Sequence, residues 1–192
     1  MKSTFDEIVS SLVKSLQTEG EQFREPVEKC IEVSARAIQQ EHCIFVCGNG
    51  GSAATASHIA NDLLCHMRNW NRRGYKIMSL NDNVSAITSL TNDYGFEEVF
   101  AKQLAAFGQK GDVIWAFSTS GNSRNCLVAF EKARELGITT VGITGRKGGK
   151  MKDLSDIWMP VDADDVTRVE ELHMIYAHIL GENIEALVSP MN

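Results

Sequence analysis

Residues 47–63 read CGNGGSAATASHIANDL, and the apolar run CIFVC at 43–47 leads into them. Three glycines and a serine therefore separate a β-rich segment from one of helical character, as where a strand turns tightly into a helix. Repeats of that unit build parallel sheets with helices on both faces. Further along the chain, four more short β-rich runs follow: YKIMSL at 75–80, DVIWAFS at 112–118, TTVGIT at 139–144 and IWMPV at 157–161. Helical patterns lie between and after them, at 52–67, 84–90, 96–107, 122–136 and 165–187. The expected fold is α/β, a three-layer sandwich around a five-stranded parallel sheet. A pair of N-terminal helices precedes it. Phe5, Ile8, Val9, Leu12, Val13 and Leu16 recur at helical spacing, as do Val27, Cys30, Ile31, Ala35 and Ile38 beyond Pro26. Gly108 and Gly137 stand at helix ends, where a left-handed residue is useful. GRKGGK at 145–150 reads as a flexible loop after the fourth strand, with an anion site as the alternative.

With 192 residues, 43% of them hydrophobic, the chain can bury a substantial core, and a single domain over 1–192 is expected. The net charge is −6, and 19 Lys and Arg residues are scattered among 25 acidic ones, which disfavours nucleic acid as a partner. No apolar stretch approaches the roughly 18 residues a membrane span needs. The opening MKSTFDEIVSSLVKSLQTEG carries acids where a signal peptide would carry a basic head. A cytoplasmic protein without membrane association is expected. Cys30, Cys43, Cys47, Cys65 and Cys126 are odd in number and form no CxxC pair, so they read as reduced core residues.

In a parallel sheet, ligands bind at the carboxyl ends of the strands, where helices begin with unpaired amides. GNGGS (48–52) follows the first strand and STSGNS (118–123) the third. Glycines let backbone amides approach an anion, and Ser52, Ser118, Thr119, Ser120 and Ser123 add hydroxyl donors. Alone, the first loop has a plain strand-to-helix turn as its lesser alternative, and the second is nearly evenly a helix start capped by Ser120 or Asn122; together, at equivalent loops of one sheet, they favour a ligand site. Gly48, Gly50 and Ala53 satisfy the permissive GxGxxA pattern of dinucleotide sites. However, the acid such sites place about 20 residues on is missing, with Asp82 some 30 residues away, and a serine-rich second loop has no role there. No GxxxxGK[ST] string exists. A compact phosphomonoester held between two neutral loops fits better. His58 and Asp62 follow at an i, i+4 spacing, on one face of a helix, within reach of one ion or one substrate; a surface pair is the alternative. RVEELHMIYAHIL (168–180) adds Glu170, Glu171, His173 and His178. Of these His178, among Ile175, Ala177, Ile179 and Leu180, is the expected interior histidine.

Five segments together resemble the phosphoheptose isomerases of the sugar isomerase (SIS) domain group: CGNGGSAATASHIANDL, NDYGFEEVFAKQL (92–104), GDVIWAFSTSGNSRN (111–125), ITGRKGGKM (143–151) and RVEELHMIYAHIL. The resemblance spans nearly the whole chain. It implies conversion of sedoheptulose 7-phosphate to D-glycero-D-manno-heptose 7-phosphate for a heptose-containing lipopolysaccharide, capsule or other glycan. It also implies one zinc ion per site, and a homotetramer with active sites between subunits, in which residues 1–40 serve oligomer packing and 41–192 form the α/β core. The family's phosphate loops carry over to Asn49, Gly50, Gly51, Ser52, Ser118, Thr119, Ser120 and Ser123, and its sugar-binding aspartate to Asp93. Its zinc-binding histidine matches His58, its catalytic glutamate Asp62, its last-helix glutamine Glu170 and its last-helix histidine His178. Three positions depart from the pattern: Asp62 is one methylene short, Glu170 adds a charge, and Thr167 stands where an aspartate is expected.

The implied metal set is His58, Asp62, Glu170 and His178, acceptable to zinc and also to harder cations. Asp62 is the expected base at carbon and His178 the acid-base partner at oxygen, with the two roles exchangeable. Glu170 is eight residues from His178, roughly 12 Å along one helix. Serving one ion would therefore require either long side-chain convergence or two subunits. A noncatalytic phosphosugar-binding regulator and an isomerase of another ketose phosphate are the alternative functions.

Overall fold

The computed structural model describes residues 4–163 and 165–189, with the side chains of 19–22 outside that description. The ends of the expected 1–192 unit lie outside the described residues. Two helices, α1 (Phe5–Gln22) and α2 (Arg24–Gln39), lead into β1 (Ile44–Gly48) and α3 (Gly51–Cys65). Next come β2 (Ile77–Ser79), α4 (Val84–Tyr94), a single 3-10 turn (Phe96–Glu98) and α5 (Val99–Phe107). The chain continues through β3 (Val113–Ser118), α6 (Arg124–Leu136), β4 (Thr139–Gly145), α7 (Met151–Leu154), β5 (Ile157–Val161) and α8 (Val166–Val188).

The five strands form one parallel sheet in the order β2-β1-β3-β4-β5. Every residue of β1 and of β3 is buried, as continuous apolar strands covered on both faces must be. On one face α2, α3 and α8 close a core around Trp115, Ile59, Leu63, Leu172 and Leu180. The Trp115 indole N–H donates to Ser34 Oγ of α2 at 3.2 Å, satisfying the polar atom of a fully buried ring. On the other face α5 and α6 pack Phe100, Leu104 and Phe130 against Phe45 and Ile114, with Ile87 and Leu90 of α4 alongside.

Differences from the sequence-based expectation have local causes. β2 keeps only three of its six expected residues, because it is an edge strand paired on one side to β1. Gly137 is left-handed at φ 71°, but Gly108 is extended at φ −79°. A Cβ at Gly108 would lie 2.6 Å from Ile138 Cδ1, so close approach explains that glycine. Cys30, Cys47 and Cys126 are buried and Cys43 partly so, whereas Cys65 is exposed on the last turn of α3, contrary to the core reading. All five are free thiols. Among the described residues no helix is long and apolar enough to cross a membrane. Of the α1 stripe only Leu12 packs against the core; Phe5, Ile8, Val9, Val13 and Leu16 are exposed.

The order of strands locates a ligand crevice. From β1 the chain moves outward to β2 and then returns to β3 on the opposite side of β1. The loops after β1 and β3 therefore flank the point where a parallel sheet opens such a crevice. Truncating the fully buried Phe130 to Ala should cost about 3–5 kcal/mol, read as a lowered urea midpoint with unchanged slope.

Candidate active site

The two glycine- and serine-bearing loops are tied together by side-chain amides. Asn49 Nδ2 donates to Asn125 Oδ1 at 2.9 Å, and Asn125 Nδ2 donates back to Asn49 Oδ1 at 2.8 Å. From the end of β2, Asn81 accepts from Gly48 N at 3.2 Å and donates to Gly48 O at 2.9 Å, which holds the β1 loop from its other side. Within the second loop the hydroxyls of Ser118 and Ser123 meet at 2.9 Å. Neither Ser120 nor Asn122 caps α6, whose first turn receives no side-chain cap. Ser120 Oγ instead accepts from Asn122 N, and Asn122 Oδ1 accepts from Lys150 N at 3.1 Å.

That last bond corrects the reading of 145–150 as a flexible loop. Gly145 N donates to Thr119 O and Met151 N to Gly121 O, so the segment is pinned along the serine loop. Gly121 has φ 63°, and a Cβ there would collide with the Gly148 carbonyl oxygen, so only glycine permits this contact. A cleft of about 350 Å³ opens beside these turns, lined by Thr119, Ser120, Asn122, Arg146 and Lys147 among others. The hydroxyls of Thr119 and Ser120 line it together with Lys147 and Arg146, whose guanidinium pairs with Asp162.

α3 starts at the first loop and carries His58 and Asp62 along its length. α8 crosses it and brings in His178. His58 Nε2 lies 2.9 Å from His178 Nε2 and 3.2 Å from Asp62 Oδ2, and His178 Nε2 lies 3.6 Å from Asp62 Oδ2. The two rings meet edge to face, and each side chain is 44% exposed. Tetrahedral ligands bound to one ion at about 2.0–2.1 Å stand roughly 3.3 Å apart, which is close to the three separations found. Two imidazoles and one carboxylate, with a side open to solvent, suit a divalent cation such as zinc and leave a position for a substrate oxygen.

Glu170 is not in this cluster. Its carboxylate lies over Gly51 at the start of α3, where a Cβ would come within 2.5 Å of Oε1. α8 is unbroken between Glu170 and His178, so in one chain the first stands by the loop after β1 and the second beside His58 and Asp62. Asp93 is exposed on α4, whose apolar side packs on the opposite face of the sheet from α3 and α8. Thr167 is exposed in the first turn of α8.

The interior histidine of α8 is His173, not His178. His173 is fully buried, 5.8 Å from the Phe117 ring, and its ring nitrogens meet no hydrogen-bond partner of normal geometry. Burial pushes its pKa down to about 4, and the nearby Thr144 backbone only partly offsets this. Two site residues were missed in the sequence, Asn125 and Asn81. Asn125 had a readable signal, a polar residue four before Ala129 on the buried stripe of α6. Asn81 had none, because its partner is 33 residues away.

The family model of the SIS domain matches residues 6–145. The phosphoheptose isomerase of Helicobacter pylori (strain P12) is 45% identical over 175 residues, covering 91% of this chain and 88% of that protein. Among solved structures, a phosphoheptose isomerase from Francisella tularensis superposes with a TM-score of 0.90 at 29% identity, covering 95% of this chain and 98% of that one. A phosphoheptose isomerase from Neisseria gonorrhoeae gives 0.86 at 32% identity, covering 95% and 100%.

The buried imidazole makes a prediction about pH. With a folded pKa near 4 against an ordinary 6.5, the unfolded chain binds a proton between those values that the folded chain does not. Stability should therefore fall with pH below 6.5, by up to about 1.4 kcal/mol per pH unit from this group. In urea titrations between pH 7 and 4.5, His173→Leu should flatten this dependence, and equal slopes would count against a neutral buried ring.

Proposed function

This chain belongs to the phosphoheptose isomerases, a family built on the SIS domain, and on that premise we propose that it interconverts sedoheptulose 7-phosphate and D-glycero-D-manno-heptose 7-phosphate. The observation that carries the reading is the placement of two unlike sites along α3. Its first residues belong to the two tied glycine- and serine-bearing loops, suited to a phosphate, and His58, seven residues on, belongs to the cluster suited to a cation, about 10 Å further along the axis. A sugar phosphate anchored at one end thus presents its carbonyl end at the other.

Isomerisation moves a proton between C1 and C2 and another between O1 and O2, through an enediol. Asp62 takes the proton from C1 of the ketose and returns it to C2. His178 gives a proton to O2 and accepts one from O1, and the two residues can exchange these roles. Although aspartate is short, Asp62 Oδ2 already lies within 3.6 Å of both imidazole nitrogens, so it reaches the shared centre. The same cluster would hold the divalent cation, with zinc the natural candidate: His58 and Asp62 are its ligands while His178 carries the oxygen-bound proton, because a metal-bound Nε2 cannot also exchange one; when bound, the cation supplies positive charge that polarises the carbonyl. Asn49, Gly50, Gly51 and Ser52, together with Ser118, Thr119, Ser120 and Ser123, would bind the phosphate. Glu170, near the phosphate loop, would meet the sugar rather than the ion of its own chain.

The exposed apolar stripe of α1 supports assembly, and we take the working form to be a homotetramer with sites shared between subunits. Asp93, remote from the trio in its own chain's layers, would then serve a neighbouring site. A cytoplasmic location and a product destined for lipopolysaccharide, capsule or another heptose-containing glycan complete the proposal.

Metal-replete protein incubated with sedoheptulose 7-phosphate should form the aldose, followed by NMR. No turnover on this or other ketose phosphates would point instead to a binding protein. Asp62→Asn and His178→Ala should each lower kcat by about 10²-fold or more while sugar-phosphate binding persists; undiminished turnover in either refutes the scheme. Chelation should remove activity and added zinc restore it. For assembly, Val9→Glu with Val13→Glu should yield a smaller species by light scattering.

A further inference from the structure

We propose that Arg72 is a positioning residue of the isomerisation site, fixing the backbone of Asp62 relative to the helix that carries His178. This rests on the isomerase reading for its kinetic consequence but not for its geometry. Arg72 lies in the polar connection between α3 and β2, yet its side chain is 2% exposed, and that of Glu185, its partner on α8, is 4% exposed. Glu185 accepts from four donors: the amides of Met67 at 3.0 Å, Arg68 at 2.6 Å and Asn69 at 3.0 Å, and Arg72 Nε at 2.5 Å. Burial by itself would raise the pKa of Glu185, but Arg72 and the three amides outweigh it and hold the carboxyl at about 2, so it stays ionised.

The same guanidinium reaches the other way. Arg72 Nη2 donates to the backbone carbonyl of Asp62 at 3.2 Å, and the fork lies 3.9 Å above the Tyr75 ring, which restrains its plane. One planar group thus bridges the last turn of α3 and α8. Glu185 stands seven residues, two helical turns, beyond His178 on that helix. The trio draws His58 and Asp62 from α3 and His178 from α8, so its separations depend on how the two helices are held. Aspartate has a single methylene. A shift of the Asp62 backbone therefore passes to its carboxylate with little slack, and displacements near 1 Å at a reacting group can cost on the order of 10²-fold in rate.

Arg72→Lys keeps a charge opposite Glu185 but not the fork that also meets Asp62. Asn69→Ala is the control: it removes the Asn69 Nδ2 bond to Ser189 O at 3.0 Å and the acceptor of Asn71 N at 3.1 Å in the same segment, and leaves the Arg72 bond to Asp62 in place. Two readouts are taken, kinetics on sedoheptulose 7-phosphate and the visible absorption of the Co²⁺-loaded protein without substrate. In Arg72→Lys, kcat should fall about tenfold or more with KM within about twofold, and the Co²⁺ bands should shift. Asn69→Ala should leave both near wild type at a comparable drop in melting temperature. A loss in Arg72→Lys no larger than in Asn69→Ala, with unchanged Co²⁺ bands, would overturn the assignment.

If Arg72→Lys does not fold, the double variant Arg72→Gln with Glu185→Gln removes both buried charges together, and the same outcomes decide. Failure of both to fold would make the pair purely structural and overturn the positioning role. Absence of turnover in wild type would sink the isomerase reading alone, since the Co²⁺ comparison needs no substrate.

Discussion

Helix α3 meets α8 with almost no space between them. Ile59 and Leu63 of α3 are fully buried, and a methyl group on Gly181 of α8 would lie 2.3 Å from the Met67 sulfur and 3.0 Å from Ile59 Cδ1. At native packing density such a contact tolerates few alternative arrangements. The site depends on it. The start of α3 supplies amides beside β1, its body supplies His58 and Asp62, and α8 delivers Glu170 and His178 to two different points along it. The sheet fixes where α3 begins, and α8 fixes where the remainder of α3 lies.

The glycine- and serine-bearing loops depend on a second constraint, the reversal of strand order beside β1. It brings two loops that are about 70 residues apart in sequence into side-chain contact, and the reciprocal Asn49 and Asn125 amides hold their spacing. Both amides use one donor and one acceptor on each other, so their orientation is set before a ligand arrives. Preorganised neutral donors of this kind lose little ordering entropy on binding an anion.

Much of this was legible in the sequence. The five apolar runs marked the sheet because buried parallel strands leave little room for polar residues, and the glycine and serine loops marked the strand ends beside the order reversal because such residues permit close backbone approach. The errors are equally physical. The immediate neighbours of His178 suggest an interior position, but a helix buries every third or fourth residue. The stripe Val169, Leu172, His173, Tyr176, Ala177, Leu180 and Ile184 selects His173. Glu185 lies on that stripe as a carboxylate among apolar positions, a readable anomaly. Arg72 carries no such mark: its burial comes from a partner 113 residues away, and the polar segment around it resembles any surface loop.

The unbroken run of α8 from Val166 to Val188 makes the helix a ruler. One mark, Glu170, sits over Gly51 in the loop after β1 and the other, His178, beside His58 and Asp62, and the roughly 12 Å between them is a multiple of the rise per residue. Side-chain rotamers can shift either mark slightly, but the interval itself changes only in whole-residue steps. The distance from the loop after β1 to the cluster of His58, Asp62 and His178 is thus set by backbone hydrogen bonding and not by the choice of side chains. A deletion of one turn between the marks would shorten the measure by about 5.4 Å, the scale of several carbons.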